Sequence, residues 1–71
     1  MKLPRISGLD AIKAFARIGY CVKRQRGSHV VLGCPERSPL VVPVHRELAD
    51  GTLRQLIRDA GLTVEQFIEL L

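Results

Sequence analysis

The run Tyr20-Cys21-Val22-Lys23-Arg24-Gln25-Arg26, then Gly27-Ser28, then His29-Val30-Val31-Leu32-Gly33-Cys34 decides how this chain is put together. Two strand-like stretches flank a Gly-Ser pair, the composition of a two-residue hairpin turn with glycine at the first central position. With that turn, Arg26 faces His29 and the numbers of every cross-strand pair sum to 55. Gln25 then faces Val30, Arg24 faces Val31, Lys23 faces Leu32, Val22 faces Gly33 and Cys21 faces Cys34. Side chains alternate along a strand, so Arg24, Arg26 and His29 share one face near the turn. Val30, Leu32, Cys34 and Cys21 share the other, which reads as the side that packs on helices.

The flanks of the hairpin complete the element order. On its N-terminal side, Ser7-Gly8-Leu9-Asp10 sets a capping hydroxyl three residues before a carboxylate, and Leu9, Ile12, Phe15 and Ile18 recur at helical spacing up to Gly19. On the C-terminal side, Pro35-Glu36-Arg37-Ser38 has turn chemistry and Leu40-Val41-Val42-Pro43-Val44 reads as a third strand. Pro43 has no N–H for a ladder, which places that strand at an edge or ends it there. Leu53, Leu56, Ile57 and Ala60 mark one face of a second helix that stops at Gly61. Thr63-Val64-Glu65-Gln66 is another capping box, opening a third helix with Val64, Phe67, Ile68 and Leu71 on its apolar face. The predicted class is α+β, in the order α-β-β-β-α(-α), with helices on one face of a three-stranded antiparallel sheet. That is the element order of double-stranded RNA-binding domains, and order alone does not assign function.

Length, charge and cysteine usage bound the rest. Seventy-one residues with no internal repeat and no linker are expected to form one domain over 1–71. A domain of this size buries only ~60% of its unfolded surface, so a stabilising partner is expected. The net charge is +4, but residues 1–46 carry nine Lys/Arg against two Asp/Glu, while residues 47–71 carry two against five. The basic front suggests a polyanionic partner. No apolar run approaches the ~20 residues of a membrane span, and no cleavable leader pattern is present, so a cytoplasmic location is expected. Cys21 and Cys34 lack the spacing of a zinc or redox site; they are expected to be small hydrophobes, although this register also brings them opposite one another. Neither a metal nor another cofactor is expected.

The hairpin is where chemistry concentrates. Imidazole is the side chain that titrates nearest neutral pH and serves as a general base, so His29 is the candidate catalyst. Lys23, Arg24 and Arg26, with Ser28, are candidate RNA-binding residues. Cations of this kind hold phosphates and offset the charge that builds on a phosphoryl group under attack. Residues 1–46 hold no tight carboxylate cluster, which argues against a two-metal nuclease. His45, just past the third strand, is a possible auxiliary. Each feature also has a plain reading: an exposed strand histidine, a charged edge that deters strand aggregation, and a strand-end hydrogen bond.

Arg24-Gln25-Arg26-Gly27-Ser28-His29, followed by Val42-Pro43-Val44-His45 and Gly51-Thr52-Leu53, resembles the HicA-type toxins of type II toxin-antitoxin pairs. Leu3-Pro4, Ile6-Ser7-Gly8, Gly19-Tyr20, Ala60-Gly61-Leu62 and Glu65-Gln66-Phe67 extend that resemblance over nearly the whole chain. It implies a double-stranded-RNA-binding-domain-like fold, endoribonuclease activity on mRNA that arrests growth, and a single catalytic histidine, His29, in the Gly-Ser-His motif. It also implies a HicB-type antitoxin that masks the active face. In one respect the chain departs from the pattern. Many members follow the motif histidine with a second histidine or an aromatic, whereas Val30 and Val31 stand here. Tyr20 is the only tyrosine, so aromatic stacking of bases is expected to contribute little.

Two other functions compete with a catalytic toxin. One is a non-catalytic RNA-binding module, or a degenerate toxin that keeps antitoxin binding. The other is a DNA-binding helix-turn-helix formed by the last two helices around Gly61-Leu62. The would-be recognition helix carries Glu65 and Glu69 and no Lys or Arg, so phosphates would repel it.

Overall fold

The computed structural model describes residues 2–71. Its elements are α1 (Gly8–Ala16), β1 (Cys21–Arg26), β2 (His29–Cys34), β3 (Arg37–Pro43), α2 (Asp50–Asp59) and α3 (Val64–Glu69). The strands form one antiparallel sheet in the order β1-β2-β3. The α+β class and the element order expected from the sequence are both present.

Both predicted capping boxes form. Ser7 Oγ accepts from the Asp10 N–H at 3.0 Å while Asp10 Oδ2 accepts from the Ser7 N–H at 3.3 Å. Thr63 and Gln66 make the same reciprocal pair at 3.1 and 2.9 Å. Each pair satisfies N–H groups that a helix start leaves without an intrahelical partner. At the other end, α2 stops where Gly61 takes φ +79, and the Arg37 guanidinium donates to the Ala60 carbonyl.

The core lies between the helices and the inner face of β2 and β3. Val30, Leu32, Leu40 and Val42 come from the sheet; Ala11, Ala14 and Phe15 from α1; Leu53, Leu56 and Ile57 from α2; Phe67 from α3. Phe15 and Phe67 are fully buried with ring centroids 5.1 Å apart, and each ring contributes about 1.5–3 kcal/mol by leaving water. β1 stands outside this layer, with all six residues exposed.

Three expectations about helix faces and element ends change in the structure. The face of α1 is rotated: Gly8, Ala11, Ala14 and Phe15 are buried, whereas Leu9, expected in the core, is 56% exposed. The cause is Gly8, where an added Cβ would stand 2.1 Å from the Pro43 carbonyl oxygen. The backbones of α1 and β3 meet directly there, and that approach fixes which side of the helix faces in. β3 starts at Arg37 and not at Leu40, because the turn after β2 closes within Pro35-Glu36. An edge strand tolerates Pro39 and Pro43, since neither needs to donate to a ladder on its outer side. At the C-terminus, Leu70 packs against the core and Leu71 is 49% exposed.

Tyr20 is a core residue and offers no platform to a base. It is 3% exposed, meets Phe15 edge-on at 5.7 Å and donates its hydroxyl to the Ser38 carbonyl at 2.7 Å. Burial, with a contribution from Cys34, pushes its phenol above the usual tyrosine range. The folded state therefore keeps a proton that the unfolded chain has lost. The stability this provides is complete below the unfolded-state value and is lost as pH rises through the folded one. Tyr20→Phe should cost about 1 kcal/mol at neutral pH by leaving the Ser38 carbonyl unpaired. It should also reduce the loss of stability at alkaline pH, which urea titrations of both proteins across that range would measure.

Candidate active face

The Gly27-Ser28 turn forms as the sequence implies, with Gly27 at φ +58. A positive φ there and not at Ser28 is the II′ pattern, whose twist matches that of the flanking strands. The turn is braced on both sides. The Gln25 side-chain amide donates to the Gly27 carbonyl at 3.0 Å, and the Val44 N–H donates to the Ser28 carbonyl at 2.6 Å. His29 opens β2 directly after it, paired with Arg26 of β1 on one side and Pro43 of β3 on the other.

Near the turn the predicted register holds: Arg26 with His29, Gln25 with Val30, Arg24 with Val31. Beyond Arg24 it shifts by one residue at a bulge, so Val22 pairs with Leu32 and Cys21 with Gly33. This corrects the expected Lys23–Leu32, Val22–Gly33 and Cys21–Cys34 pairs. Cys21 is exposed and Cys34 half-buried, both as free thiols. The bulge has a consequence for charge. Strict alternation would turn Lys23 away from Arg24, but its aliphatic stem crosses Gly33, where an added Cβ would lie 2.7 Å from Cε and 3.0 Å from Cγ. Gly33 neighbours the inward-facing Leu32 and so belongs to the outer face. The extra residue thus brings Lys23 onto the same side as Arg24, Arg26 and His29.

That outer face has an apolar floor and a cationic border. Val31 and Pro43 are half-buried and Val41 is 51% exposed, all in register with His29 or two residues along from it. Lys23, Arg24, Arg26, Ser28 and His29 are all exposed. No Asp or Glu occurs in any of the three strands, so none of these strand cations is neutralised within the sheet. The floor was hidden in the sequence because Leu40-Val41-Val42 is a continuous apolar run, with nothing to say which residue points out. Its signal was Pro43, whose pairing with His29 fixes the parity of the strand.

His45 lies beyond β3, exposed, in the wall of a shallow concavity with Ser7, Leu9, Val44 and Arg46. Its carbonyl accepts the Gly8 N–H at 2.9 Å, which holds the segment after β3 against the start of α1. The imidazole is thus carried on an anchored backbone, at the same end of the sheet as the hairpin turn. Among the described residues, no three His, Cys, Asp or Glu side chains come together as a set of metal ligands, and no helix is long and apolar enough to cross a membrane.

A helix, three antiparallel strands and two more helices, with an imidazole paired across the hairpin with Arg26 on the uncovered side of the sheet, define a small α+β protein of double-stranded-RNA-binding-domain order. Residues 8–62 match the family model of the HicA toxin of bacterial toxin-antitoxin systems, and the chain belongs to that family. No curated protein gives a significant match. The matched span runs from the first residue of α1 to the turn after α2 and includes the whole hairpin. Membership makes the chain the toxin of a toxin-antitoxin pair and implies an antitoxin as partner.

Proposed function

We propose that the chain is an endoribonuclease that cleaves mRNA at the outer face of the sheet, with His29 as its catalytic residue. The observation that carries the reading is an exposed imidazole, paired across the hairpin with Arg26, on a face whose strands hold cations and no carboxylate. His29 takes the proton of a ribose 2′-hydroxyl. The 2′-oxygen attacks the adjacent phosphorus, the bond from phosphorus to the 5′-oxygen breaks, and a 2′,3′-cyclic phosphate remains. The departing 5′-oxygen gains a proton from His45, Lys23 or water. Arg24, Arg26 and Lys23 stand where charge accumulates on the phosphoryl oxygens, and donors so placed contribute about 10²–10³ each in other enzymes. Ser28 borders the same site from the turn. A HicB-type antitoxin covers this face in the paired state.

Cleavage of single-stranded RNA by the purified toxin is expected to persist in EDTA and to leave cyclic phosphate ends. Loss of activity in chelator, or 5′-phosphate products, would overturn the mechanism. Arg24→Ala and Arg26→Ala should each weaken RNA binding and lower the slope of log affinity against log salt by about 0.7 per phosphate contact removed. Anisotropy titrations at several salt concentrations read that slope directly. A protein that binds RNA or antitoxin through this face and never cuts is the second reading, favoured by Val30 and Val31 in the place where many members carry another histidine or an aromatic.

A further inference from the structure

Leu9 is exposed, which is unexpected for a residue at core spacing. A single exposed leucine says little. Leu9, however, is not alone: with Val44 it forms the apolar part of the concavity that His45 and Arg46 complete. An apolar hollow with a few convergent polar groups is the usual build of a ligand site.

We propose that this hollow is a nucleotide subsite. It takes the base of one single-stranded RNA nucleotide against Leu9 and Val44, with Arg46 on the accompanying phosphate. The proposal rests on the ribonuclease reading and extends it from the cleaved bond to a neighbouring nucleotide. Three observations favour RNA as the occupant. The hollow lies at the hairpin end of the sheet, since the Val44 N–H donates to the carbonyl of Ser28, the residue before His29, and Val44 follows Pro43, the partner of His29. His45 is two residues past Pro43, about 7 Å along an extended chain, which is a reach comparable to one nucleotide step. The charge also fits. Glu47, the nearest carboxylate in sequence, is paired with Arg5 at 3.8 Å, and Asp10 is engaged by the Ser7 N–H. Arg46 has no carboxylate partner among the described residues. Its guanidinium is free to meet a phosphate or to stack on a base. The Gly8 to His45 hydrogen bond and the close approach of Gly8 to Pro43 hold the two walls in place.

The test is binding to a short 2′-O-methyl oligoribonucleotide, which the toxin cannot cut, with an abasic site placed at each position in turn. One position should lower wild-type affinity about tenfold, the scale of returning ~55 Å² of apolar surface to water. In Leu9→Ala that penalty should disappear, because the intact oligonucleotide now binds about as weakly as the abasic one. Arg46→Ala should weaken binding at every position and reduce the salt slope. Both side chains are exposed, so melting curves of the variants should match wild type. Equal penalties in wild type and Leu9→Ala, or an Arg46→Ala variant with unchanged affinity and salt slope, would overturn the proposal. So would variants that bind RNA normally but lose antitoxin, which would assign the hollow to an antitoxin side chain. A wild-type protein that shows the abasic penalty yet never cleaves unmodified RNA would keep the subsite and remove the nuclease reading. One that does not bind the oligonucleotide at all would remove both.

Discussion

Gly8→Ala is expected to be among the most damaging single substitutions in this protein, although it adds only one methyl group. The new Cβ would lie 2.1 Å from the Pro43 carbonyl oxygen and 3.0 Å from Val44 Cα, and both neighbours are backbone. No side-chain rotation relieves such a clash; α1 and the end of β3 must separate. Separation removes the hydrogen bond from Gly8 to His45 and opens the core around Ala11 and Phe15. Overpacking of a tight site costs about 1–3 kcal/mol, and a backbone clash belongs at the upper end or beyond. A chain of this length has only about 4–10 kcal/mol in total. At about 4–8 °C per kcal/mol, the melting midpoint should fall by at least ~10 °C. Gly51→Ala provides the contrast. Nothing lies within 4 Å of an added Cβ there, and the residue sits in α2 at an ordinary backbone angle. Alanine should raise stability by up to about 1 kcal/mol through its greater helix propensity. Thermal melts followed by circular dichroism compare the two; a Gly8→Ala protein that melts like wild type would contradict the packing described for α1 and β3.

The second large effect is functional and leaves the fold alone. His29 is exposed at the start of β2, its hairpin bonds are made by the backbone, and no side-chain partner depends on it in the packing of the core. Surface substitutions of this kind stay within about 0.5 kcal/mol. His29→Ala should therefore accumulate as a folded protein, melt as wild type does, and still associate with the antitoxin. Its expression without antitoxin should no longer arrest growth, because removal of a general base lowers the rate by about 10²–10⁴. A His29→Ala protein that is folded and equally toxic would contradict the assignment of His29. A variant that loses toxicity only because it unfolds is recognised by its melting curve, and His29→Gln then supplies a version with similar bulk.

Much of this was readable from the chain because local rules acted without competition. Ser7 with Asp10 and Thr63 with Gln66 announce helix starts by side-chain chemistry confined to one turn, and both boxes form. Gly27-Ser28 fixed the hairpin, and with it the pairing of Arg26 with His29. What stayed hidden depends on contacts between distant segments. The rotation of α1 comes from Gly8 meeting β3, some thirty-five positions further on, which no helical periodicity encodes. The bulge before Arg24 inserts one unpaired residue, and its trace in the sequence is indirect: Gly33, whose missing side chain leaves room for the Lys23 stem. Glycine inside a strand is a known mark of such irregularity. Tyr20 borders a polar strand, and no spacing around it says which way it faces. Only the fold shows that the chain turns it inward, under Ser38. For the candidate active face, the cations and the imidazole were legible and the apolar floor of Val31, Val41 and Pro43 was not, since the parity of an unbroken apolar run needs a partner strand to define it.

That one imidazole performs the cleavage is tested by the rate at which purified wild-type and His29→Ala proteins cut the same single-stranded RNA in the presence of EDTA. Wild type should cleave rapidly to cyclic phosphate ends, and the variant at a rate at least ~100-fold lower, with RNA affinity little changed. Equal rates from the two proteins, or no cleavage by wild type until a divalent metal is restored, would contradict it.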